Sequence, residues 1–258
     1  FLIKSLSCDI VLLIYIMIKS LSIVFPIFNE ELRLRSSFNH IVSFLKRKKN
    51  FKVEIIFVDD GSKDNSYSLL NKFVNNYRQN NKINFVIVKS KKNLGKGSAL
   101  KLGVKKAKYD WILTSDIDMS VTLFQISNWM KKKLINKKYS VYFATRSHKK
   151  SIVERDFFRK ILGDIGSFLI SLILNINIKD TQCGYKLYKN KHAKFAFSKL
   201  VNHGFDHDIE LVLILKSKNI KIKELPVKWQ HKNNSKVNVF LDPIKMFMGI
   251  FLMRFRYF

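Results

Sequence analysis

From Leu21 onward the chain alternates short runs of Val, Ile and Phe with segments of helical period, and this alternation restricts the fold more than any other feature. Nearly continuous apolar runs at 21–25, 53–58, 83–88, 109–115 and 139–144 read as strands buried on both faces. Between them, residues 30–48, 65–79, 96–107 and 122–136 carry apolar side chains at helical spacing. The predicted class is therefore α/β, with a mainly parallel sheet covered by helices on both faces. Ligands of such sheets bind beyond the carboxyl ends of the strands, so the chemistry belongs in the loops that follow them.

Those loops carry the polar residues. After the first strand comes Pro26-Ile27-Phe28-Asn29-Glu30-Glu31, where Pro26 is expected to end the ladder and Asn29 to cap the next helix. After the second comes Asp59-Asp60-Gly61-Ser62-Lys63-Asp64, in which Ser62 or Asp64 can cap and Asp60 can accept hydrogen bonds from a nucleotide base or ribose. Asn93-Leu94-Gly95-Lys96-Gly97-Ser98 opens the third helix. It is no P-loop, which needs Gly where Ser90 stands and Ser or Thr where Gly97 stands, and no Gly-x-Gly-x-x-Gly follows the first strand. The fourth strand runs into Ser115-Asp116-Ile117-Asp118-Met119. If the backbone stays extended there, Asp116 and Asp118 point to one side and offer two hard oxygen ligands to Mg²⁺ or Mn²⁺. Taken singly, each loop is also explained as a turn or a cap.

The second half is less regular. Residues 161–178 read as a long apolar helix after a basic start, 181–186 as a polar loop, 205–210 as the opening of another apolar helix and 220–229 as a last strand. Residues 240–258 mix Phe, Met, Leu and Ile with Lys245, Arg254 and Arg256, a pattern suited to lying at a membrane surface. At the other end, the apolar run at 10–18 is shorter than the roughly 20 residues that span a bilayer. Residues 1–18 are read as an upstream extension, with Met17 the candidate start, or as a truncated anchor; 19–239 are expected to form the domain and 240–258 an interfacial segment.

The net charge of +29 over 258 residues favours anionic partners, and its scatter as Lys among Asn and Ile fits an AT-rich coding sequence equally well. No recognition module with aromatic platforms is visible, so nucleic acid is not an expected partner. The two cysteines, Cys8 and Cys183, form no disulfide framework and no metal-binding spacing.

In order, Phe-Pro-Ile-Phe-Asn-Glu, Val-Asp-Asp-Gly-Ser, Asn-Leu-Gly-Lys-Gly and Asp-Ile-Asp-Met-Ser resemble the donor half of a family 2 glycosyltransferase. The later Asp-Thr-Gln-Cys-Gly-Tyr-Lys, Asp-Ile-Glu-Leu and Asn-Ser-Lys-Val are similar to the polyprenyl-phosphate sugar transferases, most closely the dolichyl-phosphate β-glucosyltransferase branch. The resemblance runs from Leu21 to Phe258. It implies a GT-A fold, Rossmann-like and nucleotide-sugar-binding, with a C-terminal amphipathic helix on the membrane surface. Pro26, Phe28, Glu30, Val58, Asp60, Lys96 and Asp116 would bind the nucleotide-sugar, and Asp116 and Asp118 would hold Mg²⁺ or Mn²⁺. Arg146, Arg155, Arg159, Gln182 and Lys236 would meet the lipid phosphate. Asp118, Arg146, Asp208 and Lys236 would be catalytic, with Asp208 and Glu210 the fallback bases. The implied partners are a UDP-sugar, a polyprenyl phosphate and a membrane surface, with the chain peripheral on the cytoplasmic face. The implied reaction is inverting, metal-dependent hexose transfer, with glucose the expected sugar; a mannosyl transfer, or a saccharide or lipopolysaccharide acceptor, is the alternative. Two departures stand out: Ala144-Thr145-Arg146 replaces Gly-Ser-Arg, which is expected to loosen the setting of Arg146, and Asn234 replaces a glycine.

Overall fold

The computed structural model describes residues 16–48, 51–78, 83–154, 170–204, 206–232 and 241–258. The predicted strands form β1 (Ser20–Ile27), β2 (Lys52–Asp59), β3 (Asn84–Lys89), β4 (Trp111–Thr114) and β5 (Val141–Thr145). The first four helices are α1 (Glu31–Arg47), α2 (Ser66–Arg78), α3 (Lys96–Lys106) and α4 (Phe124–Lys131). The second half supplies β6 (Ile152–Glu154), β7 (Lys186–Lys189), α5 (Asn190–Lys199), α6 (His207–Ser217), β8 (Ile222–Pro226), β9 (Lys228–Gln230) and α7 (Leu241–Tyr257).

The main sheet has the order β3-β2-β1-β4-β7-β5-β8, and β6 pairs with β9 in a small second sheet. Every pairing in the main sheet is parallel except those of β7, which runs antiparallel to both β4 and β5. From β1 the chain moves outward through β2 and β3, then returns to place β4 on the other side of β1. The strand order reverses there, and such a reversal opens a crevice at the carboxyl ends. The loops after β1, β2, β3 and β4 all belong to that end of the sheet.

Alternation along the strands builds two cores. Ile23, Phe25, Ile55 and Phe57 face α1 and α2 with Phe38 and Phe85, whereas Val24, Ile56 and Val58 face α3 with Ala99, Leu100 and Val104. The second core also takes in α6 and, from α7, Ile250 and Met253.

Three expectations change. Pro26 does not end the strand: it pairs in register with Val58 inside β1. Ser115 N donates to Val24 O on the β4 side and Asp60 N to Ile27 O on the β2 side, so by alternation the missing N–H of Pro26 faces the side where β4 has already stopped. Residues 181–185 form the expected loop, but a largely buried one that encloses Thr181, Cys183 and Tyr185, and buried Lys186 opens β7. The strand expected at 220–229 divides at Val227, with β8 joining the main sheet and β9 pairing with β6. Of the long apolar helix expected at 161–178, residues 170–174 are helical, and its start lies outside the described residues.

Candidate active site

The Asp116–Asp118 segment is a turn rather than an extended end. Met119 N donates to Asp116 O at 3.4 Å, Met119 takes a φ of 57°, and Ser120 N donates to Asp118 Oδ1 at 2.8 Å. Ile117 drops into the first core, where its carbonyl accepts the Ser37 hydroxyl of α1, and both aspartates stay partly exposed. The extended backbone expected here gives way to a turn, and a buried hydrophobic residue separates two partly exposed carboxylates that both act on Lys96.

Facing them is Lys96 at the start of α3, its Nζ 2.7 Å from Asp116 Oδ1. Burial would lower the Lys96 ammonium, but Asp116, then Asp208 and Asp118, outweigh it and hold it above the ordinary lysine range. Asp116 also rests against the backbone of the second half: a Cβ on Gly184 would stand 2.2 Å from Asp116 Oδ2, so a larger residue there displaces that carboxylate. Two hard oxygen donors beside a lysine suit a divalent cation that takes its other ligands from water and a diphosphate. Among the described residues no cluster of three or more His, Cys, Asp or Glu side chains could cage a metal alone.

Arg146 follows β5. Its Nε and Nη2 each donate to the Asp180 carboxylate at 2.8 Å, its backbone N does the same, and its guanidinium lies 5.7 Å from the Trp229 ring. The change to Ala144-Thr145 thus leaves Arg146 firmly set. Burial would raise the Asp180 carboxyl, but Arg146 outweighs it and holds it below the usual range. Asp180 Oδ1 also accepts Cys183 N at 3.2 Å, which ties Arg146 to the loop leading to Gly184 and Asp116. Burial pushes the Cys183 thiol up to about 12, so it is no nucleophile.

Asp208 is 5% exposed, in contact with the Lys186 ammonium and 3.1 Å from His207 Nε2. Burial would raise its carboxyl, but His207, Lys186 and Lys96 together hold it well below the usual range. Such a group is a poor proton acceptor, and its place is that of a buried anion between lysines. Glu210 is no base either: it is fully buried with both oxygens occupied. Acid should expose both buried aspartates. Depressed carboxyls contribute stability above their unfolded pKa of about 3.9 and lose it as pH falls through the lower folded values. Denaturant titrations between pH 7 and pH 3 should show stability falling below about pH 4, with a shallower fall in Asp180→Asn.

The loops after β1 and β2 brace each other. Asn29 does not cap α1; at φ 52° its Oδ1 accepts Lys63 N at 2.8 Å while Ser66 Oγ accepts Glu30 N at 2.7 Å. Asp64 accepts both Ser66 N and Glu31 N, so one side chain serves two helix starts. Asp60 spends its carboxylate on Leu94 N and Gly95 N, at 3.0 and 2.8 Å, and burial raises it above the usual carboxylate range. Val58 is core, packed on α3. Pro26 at the end of β1 and Phe28 and Glu30 in the loop after it are half-buried, with Glu30 paired to Arg33 at 3.2 Å. Gln182 is exposed beside Cys183, whereas Arg155, Arg159 and Lys236 lie outside the described residues. Sequence reasoning missed Asp180 and Lys186. It also left Asp59 without a role, although both of its carboxylate oxygens are buried with no hydrogen-bond partner among the described residues.

The sheet, parallel except at β7 and with its strand order reversing beside β1, has the GT-A fold, with an acid–lysine pair at its carboxyl end. The model for glycosyl transferase family 2 matches residues 22–196, and the chain belongs to that family of glycosyltransferases. It is 31% identical over 247 residues to the dolichyl-phosphate beta-glucosyltransferase of Dictyostelium discoideum, covering 92% of this chain and 74% of that one. Against the human protein of the same name identity is 32% over 250 residues, covering 93% and 76%. Among solved structures, glucosyl-3-phosphoglycerate synthase from Mycobacterium tuberculosis, in complex with Mn²⁺, UDP and glucosyl-3-phosphoglycerate, shares the fold. Its TM-score is 0.65 at 15% identity, over 92% of this chain and 80% of that one.

Proposed function

We propose that the protein transfers glucose from UDP-glucose to a dolichyl-type polyprenyl phosphate, with inversion at the sugar carbon, at the cytoplasmic face of a membrane. The observation that carries this reading is the Lys96–Asp116 pair, with Asp118 beside it, at the carboxyl end of the sheet in a family 2 chain. The names of the relatives support the acceptor and the sugar. The structural neighbours solved with UDP and Mn²⁺, or with UDP and Mg²⁺, support the donor and the cation.

In this reading an oxygen of the acceptor phosphate bonds to C1 of the sugar as the bond from C1 to the diphosphate oxygen breaks, and UDP leaves with the electron pair. Lys96 holds the diphosphate and offsets the charge that develops on it. Asp116 and Asp118 would hold Mg²⁺ or Mn²⁺, which supplies Lewis-acid stabilisation of the leaving group when bound. The acceptor is already anionic, its second pKa being about 6, so it needs orientation more than a general base. Arg146 is suited to orient it, because Nε and Nη2 are fixed on Asp180 while Nη1 makes no hydrogen bond among the described residues. Gln182, Arg155, Arg159 and Lys236 are assigned to the same acceptor phosphate, and Pro26, Phe28, Glu30 and Asp60 to the nucleotide side. An assay of several nucleotide-sugars with a short polyprenyl phosphate tests the reading; turnover of UDP-glucose into lipid supports it, and turnover only with saccharide acceptors overturns it.

The membrane contact is assigned to α7. Met248, Phe251, Leu252 and Phe255 form an exposed stripe at helical spacing, Phe258 follows it, and Arg254 lies 4.5 Å from the Phe258 ring. No helix among the described residues is long and apolar enough to cross a membrane. Bulky apolar residues with interleaved cations suit the headgroup level. Replacing Phe251 and Phe255 together by glutamate should weaken binding to anionic vesicles by at least about 100-fold in a sedimentation assay, given ~1.5–3 kcal/mol per buried Phe. Unchanged sedimentation would remove α7 from the interface.

A further inference from the structure

Besides its core contacts, α7 is fastened to the loop at 201–204 through a buried carboxylate. Glu210 on α6 is 0% exposed. Its Oε2 accepts Val201 N at 3.1 Å and Asn202 N at 2.6 Å, while its Oε1 accepts Arg256 Nη1 at 3.1 Å and Tyr257 Oη at 2.9 Å, both from α7. Arg256 also reaches Asn202 Oδ1 at 3.4 Å. Asp206 reinforces the join, accepting Asn202 Nδ2 at 2.8 Å and lying so close to α7 that a Cβ on Gly249 would stand 2.2 Å from its Oδ2.

What Glu210 holds in place is the platform on which α3 begins. Gly97 N donates to His203 O at 2.9 Å, and Ser98 Oγ lies 2.7 Å from His203 Nδ1. A Cβ on Gly97 would stand 2.8 Å from both Asn202 O and the His207 Cβ, so the helix start and the loop are in direct backbone contact. The residue before Gly97 is Lys96, whose ammonium faces Asp116.

We infer that Glu210 is a positioning residue. By tying α7 to residues 201–204 it fixes the first turn of α3, and with it the Lys96 ammonium beside Asp116. A helix whose outer face is apolar is thereby part of the donor site. The role assigned to Lys96 toward a diphosphate rests on the proposed function; the mechanical link does not.

Glu210→Ala strips the Val201 and Asn202 N–H groups of their buried partner and is a poor test, because the loop then fails for its own reasons. The working variants loosen the far end: Tyr257→Phe, and Tyr257→Phe with Arg256→Gln. Pulsed acetylation of the full chain without ligand, read by mass spectrometry, reports how firmly each lysine ammonium is held. The expected result is a rise in Lys96 labelling of about tenfold in the double variant, the scale of losing a hydrogen bond to a charged group, with buried Lys186 still protected. The dissociation constant for UDP with Mn²⁺ should rise by a similar factor. A melting temperature that falls while Lys96 labelling stays at the wild-type level overturns the inference. Failure of the wild-type chain to bind UDP counts against the proposed donor, and the labelling result still decides the link.

Discussion

Replacing Asp118 by alanine is expected to lower transfer of labelled glucose into a lipid fraction by ~10³-fold, since a cation at the leaving group is worth several kcal/mol of barrier. Its only hydrogen bond among the described residues is the one from Ser120 N, and the side chain is partly exposed, so the fold should survive. The companion Asp118→Asn separates charge from turn geometry. Its amide oxygen can still accept Ser120 N, so the turn persists while a charged ligand is lost. Both variants should fail in transfer while keeping circular dichroism and melting temperature close to wild type. If Asp118→Ala transfers glucose at the wild-type rate, neither the cation site nor the leaving-group role survives.

The second large effect falls on stability. Lys186→Met is expected to cost about 3–5 kcal/mol, because it leaves Asp208 as a buried charge without its ammonium partner. For a chain of this length that corresponds to a fall in melting temperature of roughly 6–20 °C. The pair lies in the interior, Lys186 1% exposed with its ammonium 5.0 Å from the Phe143 ring centroid. Replacing Asp208 by leucine in the same molecule removes the stranded charge and should recover much of the loss. The double variant also separates two roles for Asp208. If it retains measurable transfer, Asp208 is a positioning anion; if its fold is restored and transfer stays abolished to background, Asp208 acts in the chemistry. Denaturant titration and the lipid-fraction assay read both.

The pattern of apolar runs was enough to place β1 to β5 and α1 to α4, because strands buried on both faces must be apolar almost throughout and helices between them must be amphipathic. β7 was illegible for a physical reason. It opens on Lys186, and a lysine belongs in a buried strand only when a carboxylate far away in the chain neutralises it. The same holds for Asp180, which reads as a loop residue until the fold brings Arg146 onto it. In the sequence, Glu30, Asp60 and Asp64 read as caps or ligands of their own loops. Asp64 does cap its own helix at Ser66 N, but the structure also turns it onto Glu31 N and turns Asp60 onto the backbone of Leu94 and Gly95, so that each strand-end loop is held by the next.

By itself the sequence determined the α/β class and which loops gather at the carboxyl ends of the strands, and it singled out Asp116 and Asp118 as the candidate acidic pair. All of these follow from local periodicity and from residue types at strand ends. Only the tertiary structure decided what neutralises what. Lys96 faces Asp116, Arg146 locks onto Asp180, Lys186 and His207 hold Asp208, and Glu210 joins α7 to the start of α3. A charge in the interior must find its counter-charge, and apart from His207, which adjoins Asp208, the partners here lie on separate elements and meet only in the folded chain.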